Sequence, residues 1–411
     1  MKRFAALVAA LCVAVCALGA AGLEGGVSNA QIAAAPVVNY ASFPELKNFH
    51  FMETCYTERV AQGDNPILLF GSSELDTSRG NSFSHMATLF GQNNYGMDVM
   101  CVGRATITDM WDVLEVGALA PQIKDKKVVL FPSYQWFMCF RNAPRDFPKT
   151  FSTSTYNAFM ANPQISDATK QETTDLLATG YGVDRRKSGA GLNLVVNSAN
   201  DAISNAVADF RLKQDLANAT GASGSSAQSA PQPLTAVQRS HDDGTAETPD
   251  WKAIFAQADK TTAQATCENR YGFYDSWYGK DGKSYKKWLD SAKKTWNIPA
   301  DGAFNEDEYR TFALLLKVCQ ENGIQPLVIL QPANGPAYDQ TVYTKDVRAT
   351  WYARMDQICA QYGAQVADFS NHEYDKQFFY DDTHPSAVGY AYYSQAIYQY
   401  AKGLPLNPGA E

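Results

Sequence analysis

Two short stretches of the sequence carry side chains able to do covalent chemistry. In "ILLFGSSEL", Ile67 to Leu75, an apolar run ends at Gly71 and is followed at once by two hydroxyls, Ser72 and Ser73. In "FFYDDTHPSAVGYAYY", Phe378 to Tyr393, Asp381 stands three residues before His384, and Pro385 follows. A carboxylate at that spacing can orient one imidazole nitrogen while the other accepts a proton from a serine hydroxyl. That is the machinery of nucleophilic acyl transfer. Each stretch also has a plainer reading, because a serine after a strand often caps the next helix and Pro385 with Ser386 can simply start one. Together they make a stronger case than either alone.

Such groups need a frame to hold them, and open α/β sheets do chemistry at the carboxyl ends of their strands. Ile67 to Phe70 has the length and branching of a strand buried on both faces. Four further runs read as strands: Met97 to Val102, Val128 to Phe131, Leu327 to Leu330 and Gln365 to Asp368. Helical patterns lie between and after them, at Ile107 to Leu119, Glu306 to Asn322, Lys345 to Tyr362 and Ser386 to Ala401. The alternation predicts a five-stranded parallel sheet with helices on both faces. About 195 residues separate the third strand from the fourth, far more than a crossover requires. The interval lacks strand-like runs, so it reads as a mainly helical insertion, helical for example over Asn193 to Ala219. Thr220 to Asp250 is rich in Gly, Ser, Ala and Pro and is expected to be a flexible loop, since it cannot bury enough apolar surface to offset its ordering entropy. The aromatic residues of Glu268 to Trp296 read mainly as packing residues.

Composition limits the alternatives. The chain has 411 residues, is 45% hydrophobic and 19% charged, and carries a formal net charge of −8, so no global positive field exists to recruit nucleic acid. Lys2 and Arg3 precede an uncharged apolar run from Phe4 to Leu23, just long enough to cross a bilayer. It is either a signal anchor or a cleaved signal peptide, and under both readings the rest of the chain lies outside. The divisions expected are 1–3 inside, 4–23 as the anchor, 24–65 as an extracellular lead-in and 66–143 with 306–401 as the core. An insertion at 144–305 and a tail at 402–411 complete them. Beyond Cys12 and Cys16 of the apolar run, the six cysteines are widely spaced with no Cys-x-x-Cys, and Cys319 and Cys359 are either buried thiols or a pair. No metal and no cofactor is expected, for no nucleotide fingerprint or metal-ligand pattern occurs. His85 reads as a packing histidine, and Glu74 and Asp76 as charges favouring the N-terminus of a following helix.

The combination of "FGSSEL" after the first strand and "DDTHP" before the last helix resembles serine hydrolases of the SGNH (GDSL-like) type. Within that group, "GSSEL", "SYQWF" (Ser133 to Phe137) and "QPANGPAYD" (Gln331 to Asp339) resemble the DltD family. The resemblance spans about Pro66 to Ala143 and Glu306 to Ala401. It implies a three-layer α/β fold and makes Ser73 the nucleophile, with Ser72 in the place of the usual aspartate. Asp381 and His384 would complete the triad. The implied oxyanion donors are the amides of Ser73 and Gly103 and the side chain of Gln135, which stands where other SGNH enzymes have an asparagine. Asn334 and Ser72 are candidate substrate contacts, with a turn residue in "ANGP" as the plainer reading of Asn334.

The activity implied is D-alanyl transfer to lipoteichoic acid at the outer face of the cell membrane. The partners implied are the teichoic acid acceptor, the membrane O-acyltransferase DltB and its associated components. Two rival readings share these residues. One is an SGNH esterase that removes acyl groups from wall or exopolysaccharide. The other is a scaffold that holds the polymer or a membrane partner without chemistry, which would not require an intact Ser73, Asp381 and His384.

Overall fold

A computed structural model describes residues 46–61, 63–75, 82–90, 94–139, 143–185, 247–266, 269 and 271–409. The apolar runs form strands β1 (Ile67–Gly71), β2 (Val99–Gly103), β3 (Lys127–Leu130), β4 (Gln325–Leu330) and β5 (Gln365–Asp368). They pair in parallel in the order β2-β1-β3-β4-β5. The expected strand positions hold, with ends shifted by up to two residues. β2 runs on through Gly103, in register with Gly71 of β1. A Cβ on Gly103 would lie 2.0 Å from the Gly71 carbonyl oxygen, so only glycine lets the two strand ends stay this close.

The helices, in chain order, begin with α1 (Phe49–Ala61), α2 (Met86–Phe90), α3 (Asp109–Leu119) and α4 (Tyr134–Phe137). Within the interval between β3 and β4 lie α5 (Ala143–Thr150), α6 (Thr153–Ala161), α7 (Asp167–Thr179), α8 (Trp251–Ala265), α9 (Asp275–Tyr278), α10 (Lys283–Thr295) and α11 (Glu306–Glu321). Then follow α12 (Gly335–Tyr338), α13 (Lys345–Tyr362) and α14 (Ala387–Ala401).

Strand alternation sorts the core into two layers. Leu68, Phe70, Met100, Val102, Val128, Leu130, Val328 and Leu330 pack with α1, α3, α11 and α13. Their neighbours Leu69, Val99, Cys101, Val129, Leu327, Ile329 and Ala367 pack with α2, α8 and α14 on the other face. Each fully buried Leu, Val or Phe contributes roughly 1.5–3 kcal/mol, so both layers are needed to hold the sheet. This is the three-layer arrangement expected of an SGNH-like fold.

Packing also reaches ahead of Pro66. Phe51, Met52, Cys55 and Tyr56 of α1 are buried in the first layer because the apolar residues of that helix fall on one side. Phe159 of α6 closes onto Gly117 of α3, where a Cβ would sit 2.4 Å from its ring. Cys319 and Cys359 are buried free thiols inside α11 and α13. The aromatic residues between Tyr271 and Trp296 stack on one another and onto Tyr338 and Tyr343. The apolar run 4–23, the expected helix 193–219, Asp76 and most of the 220–250 loop lie outside the described residues. Among the described residues no helix is long and apolar enough to cross a membrane.

One buried cation ties the loops of the upper edge together. Arg348 of α13 is wholly buried and donates to both oxygens of Glu373, at 2.6 and 2.8 Å, and to Asp339 at 2.9 Å. It also donates to the Tyr343 carbonyl at 2.7 Å. The Glu373 carbonyl in turn accepts from Gly335 N–H at 2.7 Å. The loop after β4 is thereby clamped to the chain that leads into α14.

Candidate active site

β1 lies between β2 and β3, and the chain order reverses at the β1/β3 junction. The carboxyl ends of the strands flank a crevice at such a switch point, which is where doubly wound sheets bind ligands. Ser73 follows β1 directly, in a single 3-10 turn from Ser73 to Leu75. Gln135 follows β3, in α4.

The three sequence-predicted triad residues come together. Ser73 Oγ lies 2.7 Å from His384 Nε2, and His384 Nδ1 lies 2.7 Å from Asp381 Oδ2. Ser73 and His384 are half-buried, so a substrate can reach them, whereas Asp381 is 6% exposed. Asp381 Oδ1 also accepts the backbone N–H groups of Thr383 and His384, at 2.9 and 2.7 Å. The carboxylate therefore grips the His384 loop through backbone and ring at once. Burial pushes the Asp381 carboxyl up, but the adjacent His384 and the N–H donors outweigh it and hold it below the ordinary carboxylate range. An ionised Asp381 keeps a proton on Nδ1 and leaves Nε2 to accept one from Ser73.

The His384 loop is built from the sequence that follows β5. Tyr380 N–H donates to the His384 carbonyl at 2.8 Å, closing a tight loop that holds Asp381 and His384. Ser386 then caps α14, its side chain accepting from Val388 and Gly389 N–H. The capping reading of the "HPS" segment thus falls on Ser386, which leaves the His384 ring free of that role.

Glu74 is the residue whose position the sequence did not convey. It is 3% exposed and its Oε1 accepts the Ser72 N–H at 2.6 Å, so it belongs to the nucleophile turn. It is not a surface charge at a helix start, because the turn it occupies is only three residues long and folds inward. A Cβ on Gly71 would meet that same Oε1 at 2.4 Å, which explains the glycine before the serines. The Glu74 carbonyl accepts from Tyr390 hydroxyl at 3.0 Å and lies 3.2 Å from His85 Nε2, tying the turn to α14. Burial raises the Glu74 carboxyl above its ordinary range, against the pull of the Ser72 N–H and of nearby His384. His85 packs on the Tyr390 ring at 4.7 Å between centroids, as a packing histidine would.

The remaining predicted site residues have these places. Gly103 ends β2 against Gly71. Ser72 is buried and its hydroxyl donates to the Arg104 carbonyl at 3.4 Å. The Gln135 side-chain amide donates to Thr383 Oγ1 and, at 3.4 Å, to Asp382 Oδ2, so it braces the residue beside His384. Tyr338 hydroxyl reaches the same two groups, at 3.3 and 3.4 Å. Asn334 is 1% exposed and caps α12 by accepting Ala337 N–H at 3.1 Å, the turn role rather than an open substrate contact. A cavity of about 270 Å³ lies at the opposite edge of the sheet, lined by Asp64, Asp98, Lys127 and Lys402 near the strand starts, and takes no part in this geometry.

Comparison with known proteins agrees with the fold and the motifs. A family model described as "DltD protein" matches residues 44–402. Protein DltD of Bacillus subtilis (strain 168) is 25% identical over 343 residues, covering 81% of this chain and 82% of that protein. Protein DltD of Staphylococcus aureus (strain NCTC 8325 / PS 47) is 20% identical over 356 residues, covering 86% and 85%.

Proposed function

The chain belongs to the DltD family, and from that premise we propose that it is a serine acyltransferase of teichoic acid D-alanylation, anchored in the membrane with its catalytic core outside the cell. Proteins of this family take part in D-alanylation of teichoic acid. The observation that carries the catalytic part is the continuous hydrogen-bonded line from Ser73 through His384 to Asp381.

Ser73 Oγ attacks the carbonyl of a D-alanyl ester or thioester as His384 Nε2 takes its proton. The same proton passes to the departing group, leaving D-alanyl-Ser73. An acceptor hydroxyl then gives its proton to His384 and attacks the acyl carbon, and the proton returns to Ser73 as the product ester leaves. Amides of Ser73 and Gly103 face the developing oxyanion. Such preorganised donors are worth roughly 2.7–4 kcal/mol each. Gln135 supports them by fixing Thr383, and its amide is the third donor if it turns from Thr383 to the substrate. The apolar run 4–23 supplies the anchor, and the membrane O-acyltransferase DltB with its associated components supplies the activated acyl group.

The test is covalent. Purified protein exposed to a serine-directed fluorophosphonate is expected to carry the label on Ser73, read by peptide mass spectrometry. Incubation of a D-alanyl donor with a teichoic acid acceptor then separates transfer from hydrolysis. Release of free D-alanine with no ester on the polymer would replace the transferase with an esterase.

A further inference from the structure

Helix α10, Lys283–Thr295, carries a concentration of positive charge that the rest of the chain does not share. Lys283, Lys286, Lys287, Lys293 and Lys294 are all exposed, and Lys280 just before the helix is exposed too. They stand against Asp281 and Asp290 alone in this segment, on a chain whose net charge is −8. At 3.6 residues per turn the five helical lysines fall within an arc of about 120°. None of the six is ion-paired among the described residues.

The opposite side of α10 is fully engaged. Tyr285, Ala292 and Trp296 are buried, and Trp288 and Trp296 pack on the Tyr338 ring at 5.9 and 5.6 Å between centroids. Tyr338 hydroxyl lies 3.3 Å from Thr383 Oγ1, next to His384. The lysine row therefore lies across the helix and the Tyr338 ring from the His384 loop, more than one helix diameter, ~10–12 Å, away along the surface a polymer would follow.

We infer that the lysine face of α10 is the docking surface for the acceptor polymer, engaging successive phosphodiesters of a polyanionic chain so that one of its hydroxyls is fed to the acyl-enzyme. This rests on the reading of the acceptor as a teichoic acid. From Lys283 to Lys294 the row extends about 16 Å at 1.5 Å per residue, long enough to meet several phosphates of one chain. Charge complementarity also draws a polyanion toward the site from a distance, an effect that salt screens. A bilayer surface fits less well. Helices that lie in the membrane interface bury a free apolar face among the lipids, and the apolar face of α10 is already buried against Tyr338 and its neighbours.

The test measures binding of the full-length protein to a fluorescent synthetic poly(glycerol phosphate), at low and high salt, beside vesicles of phosphatidylglycerol with phosphatidylcholine. The Lys286→Gln/Lys287→Gln/Lys293→Gln/Lys294→Gln protein is expected to bind the polymer at least about tenfold more weakly, with an unchanged thermal melting point. Lys252→Gln/Lys260→Gln on α8, which removes exposed charge elsewhere, is expected to bind like the unaltered protein. Ser73→Ala should also bind normally, so a failed nucleophile assignment leaves this readout standing. Equal polymer binding by the quadruple variant would overturn the inference. So would binding to the anionic vesicles with none to the polymer, which would make the face a membrane contact.

Discussion

Ser73 and His384 are 311 positions apart in the chain, yet Oγ and Nε2 meet at 2.7 Å. That contact depends on β1 and α14 being neighbours across one layer of the fold. Replacing Ser73 or His384 by alanine is expected to abolish fluorophosphonate labelling and D-alanyl transfer, each by several orders of magnitude, because triad members act as a unit. Circular dichroism should show the fold intact. Ser72→Ala loses a single hydrogen bond to the Arg104 carbonyl, worth about 0.5–1.5 kcal/mol of stability, and should keep most of the labelling.

Glu74 separates hydrogen bonding from charge. In Glu74→Ala the buried Ser72 N–H loses its acceptor, which costs about 1–3 kcal/mol and loosens the nucleophile turn. Labelling of Ser73 should slow markedly. Glu74→Gln retains an acceptor oxygen of the same reach and should recover most of the rate. A glutamine variant as slow as the alanine variant would show that the carboxyl itself, and not the hydrogen bond, is what the turn requires.

Stability should fall as the pH rises from about 4 to about 8. Asp109 and Glu115 are buried along α3, and burial pushes each carboxyl up to about 8. In the unfolded chain both ionise near pH 4, so between about 4 and 8 the unfolded state binds fewer protons and stability declines with rising pH. Below that window both states are protonated and the full contribution is present. Urea unfolding at pH 5 and pH 8 is expected to show the difference, and Asp109→Asn with Glu115→Gln should lessen it, the remainder coming from Asp112, Glu308 and Glu74, whose carboxyls burial also raises. Asp381 has the opposite sign, since its folded carboxyl is held low. Its contribution is present at neutral pH and disappears only as pH falls through that depressed value.

Arg348→Met would leave Glu373 buried without its cation. Breaking such a pair from one side costs about 3–5 kcal/mol, so a melting curve should shift down by many degrees. Adding Glu373→Gln should return part of the loss. Because the clamp joins the loop after β4 to the chain entering the His384 loop, the single variant should also slow labelling at temperatures where it remains folded.

Gly103→Ala tests the close approach of the two strand ends. Its Cβ would collide with the Gly71 carbonyl oxygen at 2.0 Å, a backbone atom that cannot rotate away. Either the strand ends separate or the turn at Ser73 shifts. Labelling should fall at least about a hundredfold, more than for alanine at Ser72, as the proposed oxyanion donors lose their alignment.

Much of this was legible locally. Strand runs such as Leu327 to Leu330 are short, branched and bounded by turn residues, and α13 was readable to its final residue because its caps and its apolar spacing agree. The Asp381 to His384 spacing is likewise a local property, since three residues suffice to bring a carboxylate to an imidazole. Types, order and short-range spacing depend on backbone geometry and side-chain chemistry, which act over a few residues. Membership of the DltD family rests on the same kind of information.

What only the tertiary structure decided are relations between distant segments. Nothing near Glu74 in the chain says that its carboxyl turns inward to accept Ser72 N–H, because an acidic residue after a strand is equally at home on a surface. Gln135 beside Thr383, the clamp of Arg348 on Glu373 and Asp339, and the packing of α1 on the sheet each join residues whose separation hides the contact. Their energies depend on burial, and burial exists only once the layers have closed. The sequence alone determined which groups could do acyl chemistry and on what kind of sheet. Packing decided which of them meet, which are shielded from water, and which lysines of α10 are left facing out.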